Sequence, residues 1–198
     1  MSSSATTIVA ATRPPSAPRI RTAVAGMLIF VGTEIMFFAG LVSAFVIARS
    51  HARGWPPPGQ PRLPVVATAL NTLVLLASGA ALASAGRAAA TVFGRRRALR
   101  RLTGAVLLGA IFVAVQGLEW TRLLAFGLTM RSSQYGSFFY LIVGAHAAHA
   151  LAAISTLLWA RQRLARGDLT ADAFTATRVF WYFVVGVWPV LYTVVYLA

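Results

Sequence analysis

The sequence predicts an all-α fold, a polytopic transmembrane bundle of five helices. Three observations predict it. The chain is 58% hydrophobic and only 11% charged, too little polar surface to cover the core of a soluble domain of 198 residues. Five apolar stretches each reach the roughly 20 residues that a helix needs to cross a bilayer core. The 18 basic residues, every one an arginine, fall in short blocks between those stretches and face only 4 acids.

The elements follow in order. Residues 1–21 are rich in Ser, Ala, Thr and Pro and lack the basic start and continuous apolar core of a signal peptide, so they read as a flexible cytoplasmic tail. Residues 22–198 form the transmembrane domain, with spans at about 23–48, 65–86, 102–126, 136–160 and 178–197. The first loop, Arg49 to Pro64, holds Trp55-Pro56-Pro57-Pro58-Gly59, which cannot be helical and must turn at the surface. The second carries Arg95-Arg96-Arg97 and Arg100-Arg101, and the third is short and ends near Tyr135-Gly136. The fourth, Arg161 to Thr177, holds three arginines with Asp168 and Asp172. Pro189 frees the carbonyl of Val185 and should kink the fifth helix.

The charges set the orientation. The tail, the second loop and the fourth loop with its border residue Arg178 hold 13 arginines, and the opposite side, with Arg122, holds the other 5. The positive-inside rule then places the N-terminus in the cytoplasm and the C-terminus outside. Arginine placed this way orients a membrane protein, so the high charge is no sign of nucleic-acid binding. Trp55, Trp120, Tyr135 and Trp159 fall near span ends, as interfacial aromatics do. Gly79, Ala83, Ala105 and Gly109 stand at spacing four and allow close helix contact. The absence of Cys removes disulfides, thiolate metal sites, iron–sulfur clusters and c-type haem attachment.

Ionisable groups in lipid cost a few kcal/mol, about 2.5–3.5 at a helix centre, so each must face protein, water or a partner. Glu34, beside Thr33, lies mid-span. It reads either as a proton-handling or lipid-facing carboxylate, or as a buried protonated acid bonded to a neighbouring helix. Gln116 and Glu119 share a face of span 3, with Arg122 a turn outward to pair with Glu119. His146 and His149 share a face of span 4. Two histidines without further ligands suit a hydrogen-bonding contact between helices better than a metal. Asn71 and Thr72 open a polar stripe on span 2 that should bond across to a neighbour.

Several of these stretches, in order along nearly the whole chain, resemble cytochrome c oxidase subunit III. The first is Gly26-Met27-Leu28-Ile29-Phe30 through Thr33-Glu34-Ile35-Met36-Phe37-Phe38. The Trp55-Pro56-Pro57-Pro58-Gly59 loop is similar to that family's loop, and Asn71-Thr72-Leu73-Val74-Leu75-Leu76-Ala77-Ser78 follows it. Gln116-Gly117-Leu118-Glu119-Trp120 resembles the family's third stretch. Ser133-Gln134-Tyr135-Gly136-Ser137-Phe138-Phe139 then leads into Gly144-Ala145-His146-Ala147-Ala148-His149, and Phe180-Trp181-Tyr182-Phe183-Val184 with Trp188 closes the series. Where that last helix usually carries His and Asp, this chain has Tyr182 and Val185.

The resemblance implies a short, five-helix form of a family whose larger members have seven helices. It implies a non-catalytic subunit of a haem–copper terminal oxidase in the aerobic respiratory chain, bound to the catalytic subunit I, with subunit II in the complex. Haem and copper belong to those partners. This chain has three histidines and no Cys, too few ligands to hold the redox centres itself. It would bind structural phospholipid and support proton uptake and sustained turnover, as a multi-pass protein of the prokaryotic cytoplasmic (inner) membrane. Glu34, Glu119, His146 and His149 occupy the family's polar positions. The motifs do not separate cytochrome c oxidase from quinol oxidase or from the accessory protein of nitric oxide reductase. A small transporter built on Glu34 and the histidines is the reading from another class.

Overall fold

A computed structural model describes residues 22–89 and 94–197. The expected tail, residues 1–21, lies outside them. Five helices follow one another: α1 (Thr22–Ser50), α2 (Val65–Ala89), α3 (Arg95–Ala125), α4 (Gln134–Arg166) and α5 (Ala171–Tyr192). All five are long and apolar enough to cross a membrane, α5 together with the π-helical turn Thr193–Leu197 that continues it. The helix passes Pro189 without a break and widens into the π turn at its end.

The helices outrun the apolar stretches at their arginine-rich ends, and this corrects two loops. Arg95–Arg101, expected in the second loop, forms the first two turns of α3. Arg161–Arg166, expected in the fourth, completes α4, and residues 171–177 already belong to α5. Hydropathy marks where lipid ends, whereas Arg, Ala, Leu and Gln continue a helix readily into the headgroup region. Gly167, at φ 88°, stops α4 in a left-handed conformation that suits glycine, and the Thr170 hydroxyl accepts from Ala173 N–H to start α5. A cationic first turn opposes the dipole of α3. Arg95 resolves this by donating to the last carbonyls of α4, Leu164 O at 2.9 Å and Ala165 O beside it.

Helix α5 is the hub, packing on α1, α2 and α4, and its Trp181 and Trp188 are fully buried. The tightest pair is α2 with α3. There Ser78 Oγ donates to Ala105 O at 2.7 Å, because small residues bring the two backbones together. At Gly109 a side chain has no room, since a Cβ would lie 2.6 Å from the Trp181 ring. Helix α1 is peripheral, with only Phe38 and Phe45 of its 29 residues buried. Its outer face, including Ile29, Met36 and Ile47, is left for lipid or a partner. At the other end of the bundle the proline loop folds back, so that Trp55 packs edge-on against Phe45 and Tyr135.

Candidate functional site

The polar residues singled out from the sequence gather into three groups, each tying helices together. The first joins α1 to α4. Glu34 Oε2 lies 2.9 Å from His149 Nε2, and each side chain is 18% exposed. His149 Nδ1 lies 2.8 Å from Ala145 O, four residues back on its own helix. A carbonyl only accepts, so Nδ1 carries a proton. A hydrogen bond between Nε2 and Oε2 then requires a proton on one of the two atoms. With it on nitrogen the pair is imidazolium and carboxylate; with it on oxygen the pair is neutral imidazole and carboxylic acid. Phe38 and Phe183 enclose the imidazole at 5.3 and 6.3 Å, and Phe37 stands over it at 6.5 Å.

The second group lies deeper. His146 is 1% exposed and, among the described residues, neither ring nitrogen has a hydrogen-bond partner, which differs from the expectation that both histidines bond across helices. Its ring packs instead at 4.8 Å from Trp188, tilted by 34°, with Phe112 and Phe38 edge-on. Helical spacing puts His146 and His149 on neighbouring positions, but His146 turns toward α3 and α5 while His149 turns toward α1. Beside it a largely apolar cavity of about 150 Å³, lined by Phe112, Gln116, Trp120, His146 and Leu151, runs between α3 and α4. Trp188 donates its indole N–H to Thr72 Oγ1 at 2.9 Å, and Asn71 Nδ2 donates to Phe112 O at 3.0 Å. The α2 stripe therefore bonds to both α5 and α3.

The third group stands toward the proline-loop end. Gln116 Nε2 donates to the Tyr196 hydroxyl at 2.9 Å, and Arg122 pairs with Glu119 at 3.0 Å. Glu119 is buried while Arg122 is 68% exposed on its side chain, so the arginine carries the pair out to the surface. Sequence reasoning did not single out Tyr196, nor the hydrogen-bonding role of Trp188. Both are aromatic residues in an apolar helix, and only their partners reveal the polar end. Among the described residues, no three of His, Asp and Glu converge as metal ligands.

Five membrane-capable helices tied by buried polar pairs, with an ionisable pair at mid-span, define a multi-pass membrane protein. Comparison with known proteins gives the particular kind. The family model described as Cytochrome c oxidase subunit III matches residues 17–198. The probable cytochrome c oxidase subunit 3 of Mycobacterium leprae is 36% identical over 179 residues, covering 86% of this chain and 85% of the relative. The cytochrome c oxidase subunit 3 of Corynebacterium diphtheriae is 37% identical over 180 residues, with the same coverage of both. That of the quail Coturnix japonica is 33% identical over 180 residues and covers 67% of the longer relative. The chain belongs to the cytochrome c oxidase subunit III family, the third subunit of haem–copper oxidases.

Proposed function

We propose that the chain acts as the non-catalytic third subunit of a cytochrome c oxidase type complex in a bacterial cytoplasmic membrane, seated against the catalytic haem–copper subunit I, with subunit II in the same complex. Its N-terminus faces the cytoplasm, as the arginine asymmetry favours. Haem and copper stay with the partners. The exposed apolar face of α1 and the small-residue surfaces of the bundle serve that contact, and phospholipid covers the remainder.

The observation that carries the functional part is the Glu34–His149 pair. It holds one shareable proton in an aromatic surround, on the most peripheral helix, where a neighbouring subunit can reach it. A proton relay or buffer that feeds the catalytic subunit needs a group of this kind at this depth. The Gln116–Tyr196, Asn71 and Thr72 contacts serve chiefly to hold the helices in register, and Glu119–Arg122 pairs within α3. Glu34→Ala in the intact complex tests the reading. Assembly should survive, while turnover falls or the enzyme inactivates sooner over many cycles. Activity unchanged through many turnovers would reject a functional carboxylate.

A further inference from the structure

At the proline-loop end, the loop itself, the start of α4 and the π turn after α5 wall a pocket of about 170 Å³. Three hydrogen-bond donors meet in that wall. Arg62 is exposed and makes no ion pair or hydrogen bond with any described residue. Tyr135 is 3% exposed, yet its hydroxyl has no hydrogen-bond partner among the described residues. Trp55 carries a buried indole N–H that is also unpartnered. The Tyr196 hydroxyl, the remaining polar group, already accepts from Gln116. Among the described residues, no acid lines the pocket.

The chain's own acids do not supply the missing acceptor. Five arginines fall at this end, Arg49, Arg53, Arg62, Arg122 and Arg131, with the single acid Glu119, which is committed to Arg122. Glu34 is held at mid-span by His149, and Asp168 and Asp172 lie at the opposite end, around the turn from α4 to α5. A carboxylate answers a set of donors of this kind. It accepts the paired N–H groups of a guanidinium side-on and has lone pairs left for a phenol. The apolar part of the wall, Pro56, Leu63 and Val195, suits the short methylene stem of an acidic side chain. Tryptophan, tyrosine and arginine gathered around one pocket are also the residues that anchor protein interfaces. Composition and charge together therefore favour a polypeptide as the occupant.

We infer that this pocket docks an Asp or Glu side chain of another polypeptide of the complex, on the outer side in the proposed orientation, with Arg62 as its principal anchor. The inference rests on the chain's proposed place in a multisubunit complex and is independent of Glu34. The sequence contains no lysine, so Arg62→Lys places a single side-chain amine at the pocket. In the purified complex, a carbodiimide couples that amine to a carboxylate only where the two are in contact. Mass spectrometry should find an isopeptide link from position 62 to an Asp or Glu of a different polypeptide. Arg131→Lys, at an exposed arginine outside the pocket, should give none. Arg62→Gln should weaken retention of this chain in the complex about fivefold or more as salt is raised, between the worth of a rim pair and that of a buried one. Arg62→Glu should weaken it further, and changing the linked acid to arginine should then recover it. A link only to an acid of this chain, its end included, or no link in an intact complex, overturns the docking site and leaves the subunit assignment standing. Salt-dependent retention that Arg62→Gln leaves unchanged overturns it as well. Failure of any polypeptide to accompany the chain overturns both.

Discussion

Breaking the Glu34–His149 contact should release α1 from the bundle by a measurable amount. Helix α1 has only two buried residues, so its polar link to α4 supplies an unusual share of its attachment. Hydrogen bonds between membrane helices contribute about 0.6 kcal/mol on average and at most about 1.7 in double-mutant cycles. Removing one partner of a fully buried ion pair costs about 3–5 kcal/mol. Each side chain here keeps 18% exposure, which lets a stranded partner find other contacts and moves the expectation toward the lower range. The expected coupling between Glu34→Ala and His149→Ala is therefore about 1–2 kcal/mol. Reversible unfolding of the full chain in mixed micelles, with both single variants and the double, measures it. A coupling below about 0.3 kcal/mol would show that the pair does not form, and the shared-proton argument would go with it.

Other variants follow from particular contacts. Gly109→Ala drives a methyl into the Trp181 ring and should destabilise by about 1–3 kcal/mol. Gly104→Ala on the same helix meets nothing within 4 Å and should be neutral or slightly stabilising in the same melting assay. Trp188→Phe keeps the ring beside His146 but loses the N–H donated to Thr72, at a cost of about 1 kcal/mol in unfolding. Thr72→Val should add little on top of it, since both remove one bond. Glu119→Gln should change unfolding by less than about 1 kcal/mol, because Arg122 is largely exposed.

The spans were legible because hydropathy reads lipid contact directly, and the centres of all five predicted stretches fall inside helices. Their ends were not, since Arg95–Arg101 and Arg161–Arg166 are too polar for lipid yet good helix formers. Glu34, Gln116, Glu119 and the two histidines stood out as polar groups in apolar runs. Their partnerships did not, because periodicity fixes which residues share a face but not which helix that face meets. The 115 residues between Glu34 and His149 illustrate this. The Glu119–Arg122 pair was legible because both ends lie on one helix, three residues apart.

If this chain works as a haem-free subunit of a haem–copper oxidase, it should travel with the subunit that carries the haem. The most direct measurement is purification of the native protein in mild detergent, with identification of what accompanies it and a visible spectrum of each part. A haem-bearing catalytic polypeptide is expected in fixed stoichiometry, with no haem absorbance or copper in this chain once separated. Purification without any haem protein, or stoichiometric haem or copper on the lone chain, would contradict it.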